Sequence, residues 1–342
     1  MNKEIIVFSR YFGYKAGGAE RSTFEILKQK EREGYVIKVV LVDSHGAFST
    51  KQKMDLPSHW KREIIHLKFS EFRWFAYLAY FLNKNHIASF FKNINSSAIL
   101  YSYGIYAPAA INSYCGKTVY LVRDETGIGW NINYNSKFKY FTLSIQTLLD
   151  SYWRKSWYRE LLGCMKKSHI IVNSKFLDRE VIRLTGQAPE LIYPYVDKKK
   201  LQSDFNCVTP VQTQKKGIVM VGHSRIKGSD IFKRIASHFP SENFYIFAKE
   251  HTKYFRKKNI HYMLWQKESA DVYKYAKLIL VPSRWQEAFG RVIVEARALD
   301  IPVIASRRGG IPEAMQDDNF LIDDLENIQK WVKKIESVLQ PK

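Results

Sequence analysis

Two glutamates and two cations carry the chemistry this chain most plainly offers. Glu287 and Glu295 stand in an E-x7-E spacing, and Arg225 and Lys227 lie together in a short loop, Gly222-His223-Ser224-Arg225-Ile226-Lys227-Gly228. Basic side chains just before a helix, where unpaired backbone N–H groups and the macrodipole favour an anion, are a clamp for a diphosphate. Carboxylates beside such a clamp repel the phosphate but accept sugar hydroxyls well, because each ionised oxygen takes O–H donors. Phosphates in the middle and hydroxyls on both sides describe a sugar nucleotide.

The elements that must position these groups are legible from apolar runs and turn residues. Gly217–Val221 reads as a buried strand ahead of the cation loop, followed by a helix from about Ser229 to His238. Leu278–Ser283 is a second buried strand. Its loop carries Glu287, a helical pattern from about Phe289 to Leu299 carries Glu295, and Pro302–Ser306 is the next strand. Strand, loop, helix and strand make a parallel βαβ unit, whose ligands lie at the carboxyl ends of the strands. Phe289 and Gly290 open the helix, so their backbone N–H groups belong to the same anion cradle. Asp300, after the helix, sits where a left-handed residue is expected, a conformation aspartate tolerates better than most.

The segment PSRWQEAFGRVIVEARALDIPVIASRRGGIPE resembles the donor-site segment of retaining glycosyltransferases of family 4, the E-x7-E, glycogen-synthase-like group with a GT-B fold. The likeness extends from the glutamates to Pro282-Ser283, Phe289-Gly290, Pro302-Val303, Gly309-Gly310 and Pro312-Glu313. It is strong over roughly residues 216–320 and weaker before them. The resemblance implies an α/β chain of two Rossmann-like doubly wound domains facing a cleft, with a C-terminal helix crossing back to the first. The expected division is an acceptor-binding domain over 1–197 with 325–342 packed against it, and a nucleotide-sugar domain over 198–324. By position in the motif, Glu295 accepts ribose hydroxyls, Glu287 takes the donor sugar's hydroxyls, and Arg225 and Lys227 neutralise the departing diphosphate. Trp265, in the turn after Ile260–Leu264, stacks on the nucleotide base or is simply core. The same likeness implies retention at the anomeric carbon.

The first domain repeats the pattern more loosely. Glu4–Ser9 is a strand, a glycine-bearing loop follows, and a helix runs from Ala19 to about Glu33, with Gly34 as its C-cap. Gly17-Gly18-Ala19-Glu20-Arg21 resembles the family's GGAER turn, in which backbone approaches the ligand, and reads equally as a plain tight turn. The strand Thr118–Val122 ends in Arg123-Asp124, where the family often has a histidine and an aspartate. Three readings of Arg123 stay open: a hold on an acceptor phosphate or carboxylate, a hold on the donor sugar, or a structural ion pair with Asp124 or Glu125. Pro194-Tyr195 replaces the family's Asn-Gly ahead of Val196-Asp197, and polar, lysine-rich Lys198–Lys216 reads as the interdomain linker.

Composition bounds the remaining classes. The chain has 342 residues, 46% of them apolar, and a net charge of +21. That is apolar content enough for two cores, and a basicity spread along the chain that points to nucleic acid, an anionic membrane surface or phosphorylated ligands. No run of about 18 apolar residues spans a bilayer. Two aromatic and basic regions, Phe69–Leu82 and Lys137–Lys167, either lie on a membrane surface or pack as core helices. Cys115, Cys164 and Cys207 form no metal or disulfide pattern, which fits a reducing compartment, and no D-x-D triplet or histidine–carboxylate cluster suggests a metal. The expectation is therefore a cytoplasmic, metal-independent glycosyltransferase without a cofactor. It uses a UDP- or GDP-sugar as co-substrate and a glycan or lipid-linked glycan as acceptor, contacts the inner membrane surface peripherally, and works in bacterial surface polysaccharide synthesis. A GT-B-fold binding protein without turnover and a basic nucleic-acid binder are the rival readings; for the second, no binding module is present.

Overall fold

The computed structural model describes residues 3–10, 12, 18–43, 56–69, 76–129, 143–207, 216–266 and 268–340. Two compact units divide the chain, Met1–Tyr193 and Pro194–Lys342. In the first unit the elements are β1 (Glu4–Ser9), α1 (Gly18–Arg32), β2 (Val36–Asp43), β3 (Lys61–His66), α2 (Ala76–Lys92), β4 (Ile99–Ser102), α3 (Ala107–Ser113), β5 (Lys117–Val122), α4 (Leu143–Lys167), β6 (His169–Val172), α5 (Lys175–Thr185) and β7 (Glu190–Leu191). All strands pair in parallel, in the order β3-β2-β1-β4-β5-β6-β7. Central strands such as β1, with Ile5, Ile6, Val7 and Phe8 all buried, are apolar on both faces because helices cover both.

The second unit starts with α6 (Lys198–Cys207) and continues through β8 (Gly217–Val221), α7 (Ser229–Ala236), β9 (Phe244–Ala248), β10 (Phe255–Lys257), β11 (Ile260–Leu264), α8 (Ser269–Tyr273), β12 (Ala276–Val281), α9 (Arg291–Ala298), β13 (Val303–Ser306), α10 (Ile311–Met315), β14 (Leu321–Ile322) and α11 (Ile328–Leu339). Its sheet runs β10-β11-β9-β8-β12-β13-β14, with only the edge strand β10 antiparallel. Each sheet thus has a strand from which the chain winds outward in both directions, β1 in one and β8 in the other. In such doubly wound sheets the crevice beside that strand, at the carboxyl ends, is where ligands bind.

Several expectations shift. The stretch expected as linker opens with α6, whose Leu201 is buried and whose Phe205 packs against the core of the second unit; the pair at i and i+4 makes one apolar face in an otherwise polar segment. Residues 208–215 of that stretch lie outside the described residues. The apolar face of α11 that the sequence offers for a return to the first domain is buried in the second unit's own core, where Trp331 and Ile335 join Ile231, Phe232 and Ile235. Asp300 takes the expected left-handed conformation, at φ 55°.

The aromatic regions resolve in their described parts. On α2, Tyr80, Ile87 and Phe91 are buried, and Tyr80 donates to Glu160 at 2.5 Å. On α4, Trp157 is buried and donates its indole N–H to the Ile105 carbonyl at 2.8 Å. These residues are core. Phe69, Leu82 and Tyr152 remain exposed, while residues 70–75 and 137–142 of the two regions lie outside the described residues. Among the described residues no helix is long and apolar enough to cross a membrane.

Candidate functional site

The loop after β8 is folded tightly onto the loop after β12. Gly222 (φ 96°) turns the chain out of the strand, and its N–H donates to the Phe247 carbonyl at 2.7 Å. At the other end Gly228 (φ 80°) caps α7, and a Cβ there would meet the Pro282 carbonyl oxygen at 1.9 Å. Only glycine permits this approach, which lets the backbone N–H of Arg284 donate to the Ile226 carbonyl at 2.8 Å. The Arg284 side chain then fastens the loop from outside, reaching Asp230 and Glu326 at 2.5 Å each.

That lacing brings Lys227 onto Glu287. The ammonium lies 2.5 Å from Oε1 of Glu287, and the Ser283 hydroxyl donates to the same oxygen at 3.0 Å. Behind Glu287 the backbone is packed against the turn after β13. Gly310 N–H donates to the Glu287 carbonyl at 2.7 Å, and a Cβ on Gly309 would meet that carbonyl at 2.3 Å. The Gly309-Gly310 pair of the motif therefore seats the Glu287 loop.

One helix turn on, Glu295 sits inside α9 at 5% exposure. Arg291, at i−4, donates Nε to Oε1 at 2.7 Å, and the Tyr273 hydroxyl donates to Oε2 at 3.0 Å. A carboxylate this deeply buried is tolerable because both oxygens are hydrogen-bonded and one partner is a cation. Arg291 also donates to the Tyr195 carbonyl at 3.1 Å, so the Pro194-Tyr195 segment meets the site through its backbone. Gly290, with φ 110°, is the N-cap and brings no capping side chain. The helix start is thus left to its backbone, preceded by Phe289.

Arg225 stands apart from this group. Its side chain is 59% exposed and its Nε lies 3.9 Å from Asp230. Trp265 is 46% exposed, with the Lys249 ammonium 5.3 Å from its ring centroid; of the two readings given to it, core is the one the structure excludes. Behind the cation loop, His251 Nδ1 lies 2.8 Å from the Met263 carbonyl and its Nε2 lies 2.9 Å from His223 Nδ1. A carbonyl only accepts, so His251 carries its proton on Nδ1 and His223 donates from Nδ1 to Nε2. Burial, with Lys233 and His251 adding to it, lowers the His223 pKa.

In the first unit, Gly17 lies outside the described residues, and Gly18 begins α1 with open space where a Cβ would stand. Arg123 follows β5 at only 4% exposure, and its three guanidinium nitrogens have no hydrogen-bond partner among the described residues. Of the three readings given to it, the ion pair with Asp124 is not made, and that carboxylate accepts from Gly127 N–H at 3.1 Å; the Glu125 side chain, the other partner named for it, lies outside the described residues. Burial brings the Arg123 pKa down to about 10.

The sequence pattern pointed to Glu287, Glu295, Lys227 and Gly290, and the second unit holds all four around the crevice between β8 and β12. Arg291, Tyr273, Ser283 and the His223–His251 pair were not anticipated. An Arg–Glu spacing of i, i+4 on one helix was a visible signal for the first. Ser283 is four residues before Glu287 in the same loop, whereas Tyr273 and the two histidines reach their partners from distant parts of the chain.

Residues 223–342 match the family model described as glycosyl transferases group 1. Spore coat protein SA of Bacillus subtilis is 33% identical over 75 residues, 21% of this chain and 20% of that protein. D-inositol 3-phosphate glycosyltransferase of Mycobacterium sp. (strain KMS) is 41% identical over 70 residues, 20% of this chain and 16% of that protein. The chain thus matches about a fifth or less of the length of these curated relatives. Among solved structures, Anabaena Alr3699/HepE in complex with UDP-glucose superposes with a TM-score of 0.68 at 16% identity, covering 98% of this chain and 90% of that one. A point mutant of S. aureus TarM, in complex with Fondaparinux, alpha-GlcNAc-glycerol and UDP, gives 0.65 at 12% identity, covering 98% and 92%. The fold is that of GT-B glycosyltransferases, with two Rossmann-like units.

Proposed function

We propose that this protein is a retaining glycosyltransferase of family 4 that moves a sugar from a nucleoside-diphosphate donor to a hydroxyl of a glycan or lipid-linked glycan. The observation that carries the reading is the Lys227–Glu287 contact: a cation from the loop after β8 and a carboxylate from the loop after β12 meet beside the strand where the sheet's winding reverses. The match of residues 223–342 to a glycosyltransferase family model supports it. So do the UDP and UDP-glucose bound to structures of the same fold.

In this reading the donor's diphosphate lies over the amino terminus of α9, against the backbone N–H groups of Phe289 and Gly290 and beside Lys227, with the exposed Arg225 swinging onto it. Glu287 takes hydroxyls of the donor sugar. As the bond from the anomeric carbon to the diphosphate breaks, negative charge grows on the leaving oxygens, and fixed cations stabilise that charge more than the ground state. Lys227, held by Glu287, is positioned before the donor arrives. Glu295 accepts ribose hydroxyls at the oxygen lone pairs that Arg291 and Tyr273 leave, and Trp265 stacks on the base. Lysine and arginine perform the charge neutralisation that a metal ion performs in other transferases. The acceptor belongs to the first unit, near Arg123 and Asp124. A cytoplasmic location with peripheral contact at an anionic membrane surface suits the basic composition, as does a place in bacterial surface polysaccharide synthesis.

Calorimetric titration with UDP, GDP and their sugars tests the reading. Saturable binding of one nucleotide is expected, weakened in Glu295→Gln and nearly unchanged in Glu287→Gln, while Glu287→Gln loses transfer. Equal loss of nucleotide affinity in both variants would contradict the two roles. Failure of every nucleotide to bind would remove the transferase reading.

A further inference from the structure

Among the described residues, Arg123 is a charge without a counterion in a place where charges are expensive. Its pKa of about 10 leaves it protonated at neutral pH, yet it is 4% exposed and none of its guanidinium nitrogens is hydrogen-bonded among the described residues. The groups around it come from the carboxyl ends of neighbouring strands. Ser9 closes β1, Tyr103 follows β4, Arg123 follows β5 and Asn173 follows β6, and these four strands are adjacent in the sheet. The Tyr103 hydroxyl hydrogen-bonds with Ser9 and is the group Arg123 senses electrostatically. Glu20 and Asp124 face Tyr103, and neither forms an ion pair with Arg123.

Asn173 is the second unsatisfied group. Its Nδ2 donates to the Arg123 carbonyl at 3.2 Å, while its buried Oδ1 has no partner among the described residues. The two deficits are complementary. A guanidinium wants a planar or tetrahedral anion that can take two parallel N–H bonds, and an amide oxygen wants an O–H. One molecule meeting both carries an anionic group beside a hydroxyl.

We infer that Arg123 anchors the negatively charged group, phosphate or carboxylate, of a hydroxyl-bearing acceptor, and that Asn173 Oδ1 receives one of its hydroxyls. The word acceptor rests on the glycosyltransferase reading, in which the donor's own phosphates are held by the second unit. The anion site itself does not.

The test uses the full chain at constant ionic strength in a buffer free of multivalent anions. Glucose 6-phosphate, glucuronate, inorganic phosphate and uncharged glucose are titrated calorimetrically into the native protein, Arg123→Met, Arg123→Lys and Asn173→Ala. With the native protein, glucose 6-phosphate or glucuronate is expected to bind saturably and glucose not to bind. The difference between the first two identifies phosphate or carboxylate. Arg123→Met is expected to lose about ten- to hundredfold in affinity for the preferred sugar anion, the range for hydrogen bonds to a charged group. Arg123→Lys should lose less, and Asn173→Ala should weaken the sugar anion while leaving inorganic phosphate unchanged. The net charge of +21 attracts anions everywhere, so only the part lost in Arg123→Met counts.

Thermal unfolding supplies a readout independent of ligand choice. If the buried cation lacks a partner, Arg123→Met is as stable as the native protein or more so in this buffer. A large fall in Tm for a variant that retains native UDP binding would mean a structural ion pair and overturn the proposal. So would absence of saturable binding by either sugar anion, or equal binding in Arg123→Met. A preference for UDP-glucuronate over UDP-glucose that vanishes in Arg123→Met would move the anion to the donor and overturn the acceptor assignment. UDP or GDP binding separates the two readings. Nucleotide binding without an Arg123-dependent anion leaves the transferase standing, and the reverse leaves only an anion site.

Discussion

The two units carry the same winding of parallel strands and treat charge at the carboxyl edge in opposite ways. In the second unit the cations that approach the crevice are matched: Lys227 on Glu287, Arg291 on Glu295, Arg284 on Asp230 and Glu326. In the first, Arg123 is more deeply buried than any of these and has no partner among the described residues. A paired edge is preassembled, since its electrostatics are settled before a ligand arrives. An unpaired buried cation is a site whose counterion comes from outside. A shared fold therefore does not imply a shared manner of binding; the charge pattern at each strand's end decides it.

Substitutions in the second unit probe how far that matching holds the edge together. The largest effect is expected for Glu295→Ala, which takes the carboxylate from Arg291 and Tyr273 and leaves them only the Tyr195 and Val292 carbonyls as acceptors. Breaking a buried pair from one side costs about 3–5 kcal/mol, so urea unfolding should show a loss of that order for the second unit. A loss below about 1 kcal/mol would mean that the pair is solvated and that the contrast with Arg123 is overstated. Next comes Lys227→Ala. This lysine is 42% exposed, so stability should hardly change. Turnover with the donor identified by titration should instead fall by about two to three orders of magnitude if Lys227 faces the leaving diphosphate. Unchanged turnover would make the Lys227–Glu287 contact merely structural.

Gly228→Ala tests the lacing itself. A left-handed non-glycine residue costs on the order of 1–3 kcal/mol, and the clash with the Pro282 carbonyl would part the two loops. Lower stability together with weakened nucleotide binding is expected, and a silent substitution would show that the loops are not held in register. The smallest effect is that of pH. Burial lowers the His223 pKa below its ordinary 6.5, so the unfolded chain binds the proton more readily than the folded one. The second unit should keep its full stability above pH 6.5 and lose some as pH falls through that value toward the folded-state pKa. His223→Gln should flatten this slope, and an unaltered slope would assign it elsewhere.

Much of the second unit was readable because its signals are local. The run Gly217–Val221 is apolar enough to be a buried strand whatever surrounds it, and Ile260–Leu264 emerges with the bounds expected of it. Less local features escaped. β3, KREIIH, has mostly exposed side chains because it is the edge of its sheet, so neither alternation nor an apolar run announces it. α6 was hidden in a lysine-rich segment because its apolar face amounts to Leu201 and Phe205. Tyr273 reaches Glu295 from α8, and no spacing rule predicts that contact.

Residue types and short-range order alone established that this chain builds parallel βαβ units and that cations and carboxylates gather at the strand ends. Those properties depend on backbone preference and hydrophobic period, which act over a few residues. Tertiary structure decided which charges meet. Lys227 found Glu287 while Arg225 turned toward Asp230, and Arg123 was left without a partner among the described residues. Pairing depends on distance and desolvation between segments far apart in the chain, and these are set only when the strands are laid side by side.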